Sequence, residues 1–333
     1  MNPPSADERR SITFAADILR RGGLVAFPTE TVYGLGADAR NSAAVAKIFA
    51  AKGRPAGNPL IVHIAEISAA PKFANWNPIA QKLAEKFWPG PLALVLPKSD
   101  AIVPEVTSGR NSVALRMPNH PIALALLREF GGPVAAPSAN RSNHVSPTTA
   151  QHVRDDLGNR IDLILDGGSC TVGIESTVLD LTQSPPMILR LGGVSRSAIE
   201  EMLGVVDVFH GSTDIDQSAP SPGQHARHYA PATPAYRYTG GTFHKDRANI
   251  VVLAINRAIE TLGNSVIPMP ANPAEYAARF YAALRHADAL HADAIWIEEP
   301  PDTAEWQAVR DRIQRATLPK IDFSDAKRGH SRL

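Results

Sequence analysis

Ser42-Ala-Ala-Val-Ala-Lys-Ile-Phe-Ala-Ala-Lys-Gly-Arg-Pro-Ala-Gly-Asn-Pro-Leu-Ile-Val-His-Ile64 reads as helix, stop, irregular loop and strand in immediate succession. Val45, Ile48 and Phe49 share one face of a helix over Ser42–Lys52, and Gly53 stands where a left-handed residue ends a helix. Past Pro55, Asn58 and Pro59 the chain alternates faces, with Leu60, Val62 and Ile64 on one side and Ile61 and His63 on the other. A helix handing over to a short apolar strand, repeated along the chain, is the pattern of an α/β domain rather than a bundle or a β-sandwich.

Working outward, the same signals predict strands at 24–27, 92–96, 113–116, 134–136, 161–165, 176–181 and 187–190. Helices are expected at 5–21, 78–87, 122–130, 147–157 and 196–203. The periodicity fades after Leu203, and the stretch 211–234, dense in Ser, Pro, Gly, Asp and His, reads as a linker. A second α/β unit follows, with strands at 250–254, 265–268 and 294–298 and helices at 257–263, 273–290 and 303–316. The expected division is a domain at 1–207, a linker at 208–234 and a small domain at 235–333, without internal repeats.

A chain of 333 residues that is 44% hydrophobic can bury the cores this division needs. Its 34 basic and 33 acidic residues nearly cancel, so total charge points to no nucleic-acid or membrane partner. The single cysteine, Cys170, excludes an internal disulfide and a Cys-rich zinc site. The first ten residues are polar, and no run approaches the roughly 18 apolar residues of a membrane-spanning helix. The expectation is a cytoplasmic protein with no membrane partner.

Several residue groups could carry chemistry. Lys52 and Arg54 flank the helix stop at Gly53, where two cations complement the negative end of the helix dipole or, with Asn58, clamp a phosphate. His63 is a lone imidazole on a strand, suited to a core or to a ligand. Ser112, Ala114 and Arg116 share a strand face, so the guanidinium can grip a carboxylate or phosphate, or form a structural ion pair. Ala136-Pro-Ser-Ala-Asn140 and Ser142-Asn-His-Val-Ser146 put hydroxyls and amides in a loop after a strand, where open α/β sheets place ligands. Ser146 before Pro147 also fits a helix N-cap followed by N1. Ser138 has no capping role and no Gly-x-Ser-x-Gly elbow around it. Gly34-Leu-Gly36 lacks the third glycine of a dinucleotide fingerprint, and no Walker loop occurs. His225 and His228 lack the companions of a metal site.

Taken together, Pro28-Thr-Glu-Thr-Val-Tyr-Gly-Leu-Gly36, Lys52-Gly-Arg-Pro55 with Asn58-Pro-Leu60, Phe87-Trp-Pro-Gly-Pro91, Pro137-Ser-Ala-Asn140 and Ser146-Pro-Thr148 resemble the YrdC-type threonylcarbamoyl-AMP synthases. Ser221-Pro-Gly-Gln-His-Ala-Arg-His-Tyr-Ala-Pro231 resembles the linker of the longer, two-domain branch. Leu284-Arg-His-Ala-Asp288 and Arg310-Asp-Arg-Ile-Gln-Arg-Ala316 echo that branch, whereas Asp302-Thr-Ala-Glu-Trp306 departs from its usual glycine-containing stretch.

The resemblance implies a twisted, open mixed sheet whose concave face holds both substrates, followed by a small Rossmann-like α/β domain. It implies L-threonylcarbamoyladenylate synthesis from L-threonine, bicarbonate and ATP with Mg²⁺, the product passing through transferase proteins to tRNA, with weak tRNA contact as a possible addition. By family pattern Thr31, His63, Arg116, Ser176 and the backbone of Ala136, where the family often has threonine, surround L-threonine. Lys52 and Arg54 would act catalytically. With Asn58, Ser112, Ser138, Asn140, Ser146, Arg190, Arg227 and Tyr229 they surround ATP. Asn143 replaces a common glycine. The rigid turn residues of 220–231 suggest a lid over the nucleotide. The rivals are an RNA-binding module without catalysis, using Lys52, Arg54, Arg116, Arg141 and Arg190, and a carbamoyl-phosphate enzyme, whose zinc-binding cysteine pairs are absent.

Overall fold

The computed structural model describes residues 5–209, 211, 228–239, 249–255 and 265–318. The helix expected at 257–263 lies outside these residues. Ten strands form one mixed sheet: β1 (Val25–Phe27), β2 (Gly34–Asp38), β3 (Ile61–His63), β4 (Leu92–Pro97), β5 (Ser112–Arg116), β6 (Val134–Ala135), β7 (Leu163–Ile164), β8 (Thr177–Asp180), β9 (Met187–Arg190) and β10 (Asp207–Val208). Their spatial order is β10-β9-β8-β4-β5-β3-β6-β2-β1-β7. β3 runs parallel to β5 with His63 opposite Arg116, so two polar side chains from distant segments come to one place.

The two faces of this sheet are used differently. Val62, Leu94, Leu115 and Leu179 pack on one face against α2 (Ser42–Lys52) and α3 (Pro78–Phe87). At the β1 end the other face is covered by α1 (Ala6–Arg20) and α5 (Pro121–Phe130), which bury Val25, Phe27 and Val134. At the centre it carries only a thin apolar layer built from Ile61, Ala93, Val95, Val178 and Leu189, with no helix of the large domain in that cluster. A strip of the sheet is thereby left without a large-domain helix over it. The remaining large-domain helices are α4 (Pro104–Thr107), α6 (Ala150–Leu157) and α7 (Arg196–Leu203).

The small domain is an all-parallel sheet of β11 (Ala235–Tyr238), β12 (Ile250–Ala254), β13 (Ser265–Pro268) and β14 (Ala294–Glu298), in the order β11-β14-β12-β13. α8 (Pro273–Ala289) and α9 (Gln307–Ala316) pack on it, with Tyr276, Phe280, Leu284 and Ile313 buried against Leu253 and Ile295. Val32, Val145 and Ile174 of the large domain belong to the same cluster. The two domains thus share a core at the edge of the bare strip.

The sequence pattern misses three strands. β2 carries Gly34 and Gly36, which depress strand propensity. Gly36 is required there, since a Cβ on it would lie 2.8 Å from the Phe27 ring and from Val134. β10 is too short to show alternation, and β11 sits beside the linker-like stretch. Helix α6 also begins later than expected. Its N-cap is Thr149, not Ser146, because the Ser146 hydroxyl is engaged elsewhere and Pro147 O accepts the Tyr33 N–H at 2.9 Å. Tertiary pairing holds 147–148 extended.

Candidate active site

The two cations around the helix stop go to different partners. Gly53 takes φ 60°, the left-handed conformation expected of it, and turns the chain so that Arg54 reaches the bare strip. Arg54 Nη2 donates to Pro59 O at 3.2 Å, and its buried Nε has no hydrogen-bond partner among the described residues. Burial, reinforced by the charge of Arg190, pulls its pKa down to about 10, which leaves it charged at neutral pH. Lys52 is only 3% exposed and points into the following loop. Its Nζ donates to Ser138 O at 2.6 Å, to Asn140 O and to Asn140 Oδ1 at 3.4 Å. Burial, then Arg54, lowers its pKa, but three carbonyl acceptors match the three donors of an ammonium. The clamp read from the sequence is therefore divided: Arg54 faces the cavity, and Lys52 braces one of its loops.

Thr31, His63, Arg116, Ala136 and Ser176 line one cavity with Arg54, Ser138, Arg190 and Tyr229. Arg116 ends β5, donates Nε to Gly90 O at 3.2 Å and places Nη2 2.8 Å from Glu30 Oε1. Those two atoms approach as an ion pair without an N–H aimed along the contact. Glu30 Oε2 accepts the Asn119 N–H at 3.0 Å. The cavity lining and the structural ion pair, alternatives in the sequence, coexist in Arg116. His63 lies edge-on to Phe27, and its Nδ1 has no partner among the described residues. Burial, and next the charge of Arg116, pushes its pKa down to about 3, so it enters the cavity as a neutral imidazole.

Glu175 was not singled out by the sequence, although an acid between Ile174 and Ser176 at the start of an apolar strand is an unusual burial. Its carboxylate accepts from Ser146 Oγ at 2.7 Å, from Tyr281 OH at 2.9 Å and from Arg312 Nε at 2.7 Å. Burial raises its pKa, yet the charge of Arg312, then that of Arg190, and the hydrogen bonds outweigh this and hold it ionised. Arg190 donates to Ser176 O at 3.1 Å and to Ser176 Oγ at 3.2 Å.

Tyr229 closes the cavity. It adopts φ 60°, is 1% exposed, and its hydroxyl has no hydrogen-bond partner among the described residues. Its neighbours are tied down: His228 N–H donates to Arg315 O and Ala230 N–H to Asn143 O, both at 3.1 Å. Asn143 has φ 67°, the region where glycine is favoured, which accounts for a glycine at that place in the family pattern. Free space in the cavity is about 50 Å³. A nucleotide needs several hundred, of the order of the ~300–1,000 Å³ usual for small-molecule sites. Arg190 also lines an adjoining cleft of about 560 Å³.

Five of the expected site residues do not line the cavity. Lys52, Asn140 and Ser146 stand behind it, supporting the 138–146 loop. The buried Asn58 lends its carbonyl to the Arg54 turn at 3.5 Å. Ser112 begins the strand that Arg116 ends, about 13 Å away at a strand's rise per residue. Arg227 lies outside the described residues.

An α/β sheet domain with a cationic cavity, completed by a small parallel-sheet domain, defines the class of the Sua5/YciO/YrdC proteins. That family's model, described as "Telomere recombination", matches residues 17–192, and a second, described as "Threonylcarbamoyl-AMP synthase, C-terminal domain", matches 194–317. The chain is 43% identical over 324 residues to the threonylcarbamoyl-AMP synthase of Bacillus subtilis, covering 93% of this chain and 94% of that protein. The corresponding protein of Pyrococcus abyssi is 42% identical over 328 residues, at 94% and 96% coverage. A solved structure of P. abyssi Sua5 complexed with L-threonine matches with a TM-score of 0.85 at 40% identity, covering 93% of this chain and 94% of that one. The chain belongs to the threonylcarbamoyl-AMP synthase family, in its two-domain form.

Proposed function

We propose that this chain joins L-threonine, bicarbonate and ATP into threonylcarbamoyl-AMP, releasing pyrophosphate. The observation that carries the reading is the meeting, in one cavity, of the cation Arg54, which has no carboxylate partner among the described residues, with Thr31, neutral His63, Arg116 and Ser176. Widened by displacement of the segment that carries Tyr229, such a cavity can receive an amino acid's carboxylate and hydroxyl beside a triphosphate.

In this reading the threonine amine takes up the carbon of bicarbonate with loss of water. The resulting carbamate oxygen bonds to the α-phosphorus of ATP while the bond to the β-phosphate oxygen breaks and pyrophosphate leaves. An ionised carbamate is already a nucleophile, so the protein's part is to position and neutralise. Arg54 and Arg190 offset triphosphate charge. Arg116, oriented by Glu30, offers an edge to the threonine carboxylate, and neutral His63 hydrogen-bonds without adding charge. Glu175 is the lone carboxylate lining the cavity among the described residues, and its oxygens are already engaged. Mg²⁺ would accordingly arrive on the oxygens of the triphosphate, as part of the substrate.

The RNA-binding alternative is not favoured, because Lys52 and Arg116 are buried and offer no surface to a phosphate backbone. We further read the protein as cytoplasmic, handing its product to transferase proteins that modify tRNA; no described helix is long and apolar enough to cross a membrane. The same reading makes residues 228–231 part of a lid that opens for ATP. The test is pyrophosphate release by the purified chain with MgATP and bicarbonate. Release is expected to depend on threonine and to be weaker with serine, by the roughly 1–3 kcal/mol that one methyl contributes in a pocket. Equal release without threonine would refute the assignment.

A further inference from the structure

A carboxylate beside the cations of an ATP site works against that site. Glu175 lines the cavity immediately before Ser176, the residue on which Arg190 rests through contacts of 3.1 and 3.2 Å. If Glu175 turned to Arg190, it would cancel charge that a triphosphate needs. Its hydrogen bonds come instead from Ser146 of the large domain and, across the domain boundary, from α8 and α9. Arg312 of α9, 0% exposed, donates Nε to Glu175 Oε2 at 2.7 Å and Nη2 to Leu191 O at 2.8 Å. Tyr281 of α8 adds its hydroxyl at 2.9 Å. The Arg312 guanidinium also lies 5.2 Å from the centre of the Tyr229 ring, which walls the cavity.

Fold stability alone is a weak account of this pair. Desolvating both charges consumes most of their attraction, and a buried ion pair can often be replaced by apolar groups without loss. The location is informative instead: the small domain spends a fully buried arginine on a cavity residue of the large domain.

We propose that Arg312 is a positioning residue for the ATP half of the reaction, holding the Glu175 carboxylate on the small-domain side so that the charge of Arg190 acts on the triphosphate. In the native arrangement Arg312 is shared by Glu175 and Asp311 and anchors the Glu175 carboxylate to α9. Without Arg312, Glu175 turns its charge toward Arg190. The inference rests on the synthase reading of the cavity and gives the second domain a role in substrate binding.

The test compares the full chain with R312M, R312K, E175Q and the double variant E175Q/R312M. MgATP binding is measured by calorimetry, and KM and kcat by threonine-dependent pyrophosphate release. R312M is expected to weaken MgATP binding on the order of tenfold, the weight of one charge-assisted contact, with a smaller change in the KM for threonine. R312K, which keeps the charge, should lie between R312M and the native chain. The double variant should recover to within about threefold of native, because a neutral amide cannot offset Arg190. A merely structural arginine would give no such recovery. Native MgATP affinity in R312M, or a double variant as weak as R312M, would overturn the proposal. If R312M does not fold, E175Q against E175Q/R312M decides: equal affinities support the proposal, and a further large loss overturns it. Failure of the native chain to release pyrophosphate would instead overturn the synthase reading.

Discussion

Replacing Arg116 tests how the cavity is built, because its guanidinium both lines the cavity and compensates a buried acid. Arg116 and Glu30 are 5% and 3% exposed at their side chains and 2.8 Å apart. Arg116→Met leaves Glu30 in a low-dielectric site with one backbone donor, Asn119 N–H, to support a full charge. Breaking a buried pair in this way costs about 3–5 kcal/mol. At roughly 2–4 °C per kcal/mol for a domain of this size, the melting temperature should fall by about 6–20 °C. Adding Glu30→Gln removes the stranded charge, so the double variant should melt closer to native than Arg116→Met alone. Scanning calorimetry on the native chain, both single variants and the double variant closes the cycle, and the KM for threonine measured on the folded double variant reports the ligand role separately. Arg116→Met melting within about 2 °C of native, with no recovery in the double variant, would refute the argument.

His63 predicts a pH dependence. Its folded pKa, about 3, lies below that of an unfolded histidine, so the unfolded chain binds the proton more readily. The stability is complete above about pH 6.5 and is lost as pH falls toward 3, amounting to about 2 kcal/mol at pH 5. His63→Gln should flatten this part of the melting profile, and an unchanged slope would contradict the assignment. Lys52→Met removes three contacts from the 138–140 loop. It should lower kcat and expose residues 138–146 to proteolysis; lost turnover without added cleavage would point to direct phosphate contact instead. Gly192→Ala would put a Cβ 2.3 Å from Glu175 O and 2.4 Å from Thr177 N, backbone atoms that cannot move aside alone. It should displace the start of β8 and cut threonine-dependent turnover more than tenfold, on the order of the loss expected from a misplacement of ~1 Å. Near-native turnover would show that the strand start can shift harmlessly.

Much of the fold was legible because its signals are local. α2, α3, α7, β9, β12, β13 and β14 have the ends that periodicity and caps assign, since amphipathic spacing, Asn and Ser N-caps and Pro at N1 act within a few residues. Motif order also grouped residues that the fold brings together, since Thr31, Arg54, His63, Arg116, Ala136, Ser138, Ser176, Arg190 and Tyr229 line one cavity. What tertiary structure alone decided are the pairings between segments far apart in the chain. No local pattern tells that Lys52 turns to Ser138 and Asn140, that Ser146 caps no helix because Glu175 takes its hydroxyl, or that Arg312 and Tyr281 reach over a hundred residues back to hold that carboxylate. A buried polar group is satisfied by whatever the fold brings beside it, so its residue type can be read in advance while its partner, and hence its work, depends on packing.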